Sequence, residues 1–144
     1  MDPQLERSQA LSRERADHVQ LALSIFNFRR LFKGARPADA PQQFAEVQHL
    51  IAKKVAEHFA DEERCIFPVF LAGQTTPQER QVITELCAEH AQLLATAHQL
   101  HGQLQRLTMA KCKGELWNAL RDFLAVLEKH LAKEDQLFES FSAK

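Results

Sequence analysis

The chain has 144 residues, 45% hydrophobic and 26% charged, which suits one soluble globular domain over residues 1–144. Its 18 basic and 19 acidic residues give a formal charge of −1, which argues against nucleic-acid or membrane-surface binding driven by bulk charge. With no apolar run near the ~18 residues of a membrane span, no signal-peptide pattern after Met1, and an odd number of cysteines, a cytoplasmic location is expected.

Only four glycines and five prolines punctuate the chain, and between them apolar residues recur at the helical spacing of three and four. A first helix is predicted from a start between Pro3 and Ser12 to about Lys33, with Gly34 as its cap. The basic residues Arg29, Arg30, Lys33 and Arg36 near its end complement the helix dipole, or form a docking patch for an acidic partner. A second helix is predicted from near Pro41 to about Leu71, with Pro68 kinking or loosening its last turn. Its inward stripe would hold Leu50, Ile51, Val55, His58, Glu62, Cys65 and Val69. Thr76-Pro77-Gln78-Glu79 reads as a capping box opening a third helix that continues to about Met109. The fourth helix starts near Gly114, and its inward stripe is Leu120, Phe123, Leu127, His130, Glu134, Leu137 and Phe141. Short connections make neighbours antiparallel, so the expected fold is all-α: an antiparallel up-down-up-down four-helix bundle.

A two-helix pseudo-repeat emerges at an offset of 72 residues. Ala16-Asp17-His18-Val19-Gln20-Leu21 aligns with Ala88-Glu89-His90-Ala91-Gln92-Leu93, and His58-Phe-Ala-Asp-Glu62-Glu63 with His130-Leu-Ala-Lys-Glu134-Asp135. One His-x-x-x-Glu pair means little in a chain with seven histidines; two pairs, each with a preceding histidine at one common offset, do not arise so easily. Counted from the turns at ~1.5 Å per residue, the six side chains reach the same height in the bundle. Residues i and i+4 share a helix face, so each His/Glu pair points at one spot. Polar groups among apolar neighbours need partners, and four imidazoles with two carboxylates form the donor set of a dinuclear metal site. His18, His58, Glu62, His90, His130 and Glu134 are the candidate ligands. Mixed nitrogen and oxygen donors suit iron or manganese, with zinc as a further option.

The remaining histidines fall elsewhere. His49 is half a turn off the inward stripe, and His98 and His101 lie ~12 and ~16 Å farther along the third helix, beyond reach of the same ions. Cys65 and Cys87, each one turn from a candidate ligand, are either small core residues or a redox-responsive pair; Cys112 falls in the third connection.

His18, His58-x-x-x-Glu62, His90 and His130-x-x-x-Glu134, with the wording His58-Phe-Ala-Asp-Glu-Glu-Arg-Cys-Ile-Phe-Pro68, resemble the hemerythrin-like (HHE cation-binding) domains over almost the whole chain. The resemblance implies two iron ions bridged by two carboxylates and an oxo or hydroxo group. It also implies binding of dioxygen, nitric oxide or peroxide for transport, sensing or stress defence. Ferritin-like proteins fit less well, because their signature is Glu-x-x-His. Two departures stand out. Leu94 occupies the position where the oxygen-carrying members have a further histidine, which leaves room for water or substrate. In the last helix, where those members use an aspartate, Glu134 and Asp135 are both present, and Glu63 offers a similar choice beside Glu62. Leu94, Leu127 and the phenylalanines would restrict water around the metals.

The expected function is a non-haem di-iron protein that binds a diatomic or peroxide ligand for sensing or stress response. A second reading is an enzyme that consumes peroxide or nitric oxide with an electron donor, or a donor of iron in iron-sulfur repair. The repair relatives carry an N-terminal cysteine-containing segment not seen in this sequence. A third reading is a metal-free helical regulator binding a protein partner. The chain is similar in length and four-helix plan to the regulator-of-sigma-D anti-sigma factors, which give no reason for paired His/Glu triplets.

Overall fold

Apolar residues at three-and-four spacing build helices throughout, and no strand occurs among the described residues. The computed structural model describes residues 2–32, 40–106 and 115–144. In it α1 spans Pro3–Phe32, α2 covers residues 40–71, α3 spans Pro77–Leu104 and α4 spans Glu115–Ser142. α1 packs against α2 and α4, and α3 packs against the same two helices. The expectations for Gly34, Lys33, Arg36, Cys112 and the chain from 107 to 114 lie outside the described residues. α3 ends at Leu104 rather than Met109; Gly102, a poor helix former, precedes that end by two residues.

α3 begins as expected. Thr76 Oγ1 accepts from the Glu79 backbone N–H at 3.1 Å, and Glu79 Oε1 accepts from the Thr76 N–H at 2.9 Å, with Pro77 at the first helical position. Glu79 Oε2 also accepts from Ser140 Oγ at 2.7 Å, and Lys144 Nζ donates to Oε1 at 2.5 Å. These bonds tie the start of α3 to the end of α4.

α2 is not a regular helix. Two π turns, Leu50–Lys54 and Glu62–Ile66, interrupt it, with the Val55 N–H reaching Leu50 O and the Phe67 N–H reaching Glu62 O. The second turn lies just before Pro68, which has no N–H to donate; the loosening expected there takes the form of this wide turn. It also corrects the inward stripe. Each wide turn takes up an extra residue, which rotates the succeeding residues by roughly 100°. Cys65 is therefore exposed and Val69 only half-buried, while Ile66, Phe67 and Phe70 occupy the interior. The stripe on α4 is buried at all seven expected positions.

The interior is layered. One apolar cluster gathers Leu21, Ile25 and Phe28 of α1 with Leu50 and Val55 of α2, Leu93 and Leu100 of α3, and Leu120, Phe123 and Leu127 of α4. A second joins Ala10, Leu11, Ile66, Phe70, Ile83, Leu86, Phe138 and Phe141, in which Phe70 and Phe141 stack with centroids 4.1 Å apart. On α1, Glu14 and His18 fall between Leu11 and Leu21; on α3, His90 falls between Leu86 and Leu93. A charged layer thus lies between two apolar ones.

Candidate metal centre

The charged layer contains Glu14, His18, His58, Glu62, His90, His130 and Glu134, all buried. The six residues expected from the repeat come together in it. α1 supplies Glu14 and His18 at i and i+4, α2 His58 and Glu62, α3 His90, and α4 His130 and Glu134. The donors fall into two groups. Glu14, His18, His58 and Glu62 each place one donor atom within 4.8 Å of the others, and so do Glu62, His90, His130 and Glu134.

Both central carboxylates touch both histidine pairs. Glu134 Oε1 lies 3.2 Å from His18 Nε2 and 3.7 Å from His58 Nε2. Its Oε2 lies 3.3 Å from His90 Nε2 and 3.2 Å from His130 Nε2. Glu62 Oε1 lies 3.4 Å from His58 Nε2 and 3.2 Å from His90 Nε2, and its Oε2 is 3.8 Å from His18 Nε2. Most of these separations are long for hydrogen bonds. Two donors each about 2.1 Å from one ion, at tetrahedral or right angles, would be roughly 3.0–3.4 Å apart. Glu14 Oε1 and Oε2, Glu62 Oε1 and Oε2, Glu134 Oε1, and Nε2 of His18, His58 and His130 are buried without a hydrogen-bond partner. Orphaned buried donors and acceptors are costly, and cations seated among these would satisfy them. The residues fit a pair of metal ions.

The outward-facing nitrogens meet a ring of carboxylates. His18 Nδ1 and Asp135 Oδ1 are 2.6 Å apart, and His130 Nδ1 and Glu89 Oε1 are 2.9 Å apart. Asp17 faces His58 Nδ1 at 3.5 Å and Glu63 faces His90 Nδ1 at 3.6 Å, ion-pair distances too long for a hydrogen bond. An ionised carboxylate only accepts, so it favours the proton on Nδ1 and leaves Nε2 facing the centre with a lone pair. Asp135 and Glu63 therefore sit on the outer side of the imidazoles, and the inward carboxylates are Glu134 and Glu62. Lys133 Nζ extends the ring, donating to Glu89 Oε2 at 2.7 Å and Glu85 Oε2 at 2.9 Å. Phe59 stacks on His90 with centroids 3.9 Å apart and meets His130 edge-on at 5.1 Å, holding both rings. Leu127 is buried and Leu94 packs against the same apolar cluster.

The buried carboxylates and imidazoles shift one another's pKa values. Burial disfavours charge on His18, but Glu134, Glu62 and Asp135 outweigh it and lift its pKa to about 10. His58 is raised against burial by Glu134, Glu14 and Asp17. Burial pushes Glu62 up to about 12 and raises Glu14. Glu134 moves the other way, because despite burial the imidazoles of His130, His18, His58 and His90 hold it well below the usual carboxylate range. The shifts favour a proton on Glu62 and on His18 beside an ionised Glu134, and cation binding would displace such protons.

Glu14 escaped the sequence reading. It has no counterpart in the second half, where the offset of 72 falls on Leu86, so the repeat could not reveal it. The signal available was a glutamate one turn before His18 on the buried face of α1. His49 and His98 are exposed and His101 is half-buried at the far end of α3, away from the site. Cys65 and Cys87 are free thiols; burial, then Glu63, pushes the Cys87 thiol up to about 11. Arg29 of the basic cluster pairs with Glu128 of α4. No helix among the described residues is long and apolar enough to cross a membrane.

No curated protein and no solved structure matched the chain. The family described as the hemerythrin HHE cation binding domain matches residues 9–141, a span that takes in every residue of the buried layer. With that match over a layer of donors able to hold a metal, the chain belongs to the hemerythrin HHE cation-binding domain family.

Proposed function

We propose that the chain is a non-haem di-iron protein that binds a diatomic or peroxide ligand in sensing or stress response. In this reading residues 1–144 form one up-down-up-down bundle of two repeated helical hairpins. His18 and His58 serve one iron and His90 and His130 the other, with Glu62 and Glu134 bridging. The observation that carries it is the division of Glu134 between the pairs, Oε1 toward His18 and His58 and Oε2 toward His90 and His130. Bound there, two irons would supply Lewis acidity and one electron apiece to a small ligand. The chain's part is to hold His18 and His130 through Asp135 and Glu89, with Asp17 and Glu63 facing His58 and His90, and to keep bulk water away with Phe59, Phe67 and Leu127.

A metal-free regulator is disfavoured, because that role would leave the buried carboxylates and imidazoles unpartnered in a bundle that would be more stable with leucines. Leu94 in place of a fifth histidine favours an open position over a saturated one, which keeps an enzyme consuming peroxide or nitric oxide as the second reading. A cytoplasmic location and an electron-donor or protein partner complete the proposal.

The test is an optical spectrum of the reduced, iron-loaded chain before and after dioxygen, nitric oxide or peroxide. A new absorption band with at least one ligand, absent from Glu62→Ala and His130→Ala, is expected. No spectral change with any of the three would overturn the reading. Steady-state turnover with an added electron donor would assign the enzyme in its place.

A further inference from the structure

The two halves of the centre differ at one position. α1 carries Glu14 one turn before His18, whereas α3 carries Leu86 one turn before His90. Both side chains are 0% exposed. Glu14 Oε2 lies 3.6 Å from His18 Nε2 and 3.7 Å from His58 Nε2, and neither Glu14 oxygen has a hydrogen-bond partner. A fully buried, unpartnered carboxylate is among the costliest groups a core can hold. Leu86 sits in the apolar cluster and offers no donor at all. Because Glu134 Oε1 also faces His18 and His58, that half meets three carboxylates, Glu14, Glu62 and Glu134, against Glu62 and Glu134 for the His90/His130 half.

The surfaces outside the two halves differ in the same sense. The pocket reaching His58 is lined by Asp17, Glu57 and Asp61 against Lys54. The larger groove reaching His130, about 820 Å³, balances Glu89 and Asp122 with Lys129 and Lys133. An anionic or electron-rich ligand meets less repulsion on the His130 side.

We propose that Glu14 is a terminal ligand reserved for the cation at His18 and His58, and that the exchangeable position for an external ligand belongs to the cation at His90 and His130. This rests on the dinuclear reading above and goes beyond it by making the two metals unequal and giving them separate tasks. One is fixed by protein carboxylates, and the other takes the ligand.

The experiment compares wild type, Glu14→Leu and Glu14→Gln, each loaded with ferrous iron without oxygen and studied by equilibrium dialysis and Mössbauer spectroscopy, with azide as the probe anion. Wild type should bind two irons giving two distinct doublets of equal area, only one of which shifts with azide. Glu14→Leu should keep that azide-sensitive iron and bind the other at least ~10-fold more weakly. Glu14→Gln, which retains an oxygen donor, should fall between and serves if the leucine variant does not fold. Metal-free Glu14→Leu should also melt above metal-free wild type, because it replaces an orphaned carboxylate with the residue the other half uses. Two irons bound to Glu14→Leu with wild-type affinity and unchanged doublets would overturn the ligand role and leave the dinuclear reading standing. Azide acting on the doublet lost in Glu14→Leu would overturn the assignment of the exchangeable position. Wild type binding no iron would overturn both readings together.

Discussion

Glu79 and Glu62 are both buried carboxylates, but their surroundings hold them in opposite states. Burial raises Glu79, yet Lys144, the Thr76 backbone and Ser140 outweigh it and bring it to about 2, whereas burial carries Glu62 up to about 12. A carboxyl whose folded pKa lies below its ordinary 4.5 stabilises the fold above that pH and loses the contribution as pH falls through about 2. Glu79→Gln should therefore melt below wild type at neutral pH, and the gap should close between pH 4.5 and about 2 in a thermal titration. Thr76→Ala, which removes the hydroxyl half of the same cap, should cost ~1 kcal/mol by denaturant unfolding. In the outer ring, Glu89→Gln weakens the grip on His130 and should lower iron affinity by about 10–100-fold in a competition titration, with the fold intact. The six repeated residues of the layer were legible because each half of the chain checks the other. Glu14 was not, because it breaks the repeat, and spacing alone does not say that Asp17 serves His58 rather than its neighbour His18.

α2 shows where helical periodicity misleads. Apolar spacing and Pro41 locate the helix and Pro68 marks its irregular end, but nothing in residue propensities reveals that the turn Glu62–Ile66 takes in one residue more. That extra residue sends Cys65 to the surface and Ile66 into the core, so the two positions exchange their expected sensitivities. Ile66→Ala should cost about 2–4 kcal/mol and Cys65→Ala less than ~0.5 kcal/mol in urea unfolding. A larger penalty at Cys65 would mean a regular α-helical turn there. α4, with no such interruption, keeps its heptad-like stripe throughout, which is why its inward face was read correctly at all seven positions. The wide turn opens on Glu62, the carboxylate shared by both donor groups.

At the scale of the molecule, two apolar clusters enclose a layer of buried carboxylates and imidazoles, many of whose polar atoms lack a hydrogen-bond partner that a cation would supply. Iron should therefore act as a stabiliser. At free iron ~100 times its Kd the gain is about 2.7 kcal/mol per cation, and for a chain of this length that raises Tm by roughly 5–10 °C per cation. Chelation should reverse the shift, and proton release on loading should accompany it. The helix count and six of the layer's seven residues could be read from the sequence, because breakers and repeat spacing are local. The division of Glu62 and Glu134 between histidine pairs could not, because it depends on how four helices rotate against one another. The most direct measurement is anomalous diffraction at the iron edge from crystals of the iron-loaded chain. Two peaks are expected, one among Glu14, His18, His58 and Glu62 and one among Glu62, His90, His130 and Glu134. A layer without iron density, or iron bound only elsewhere on the chain, would contradict the dinuclear centre.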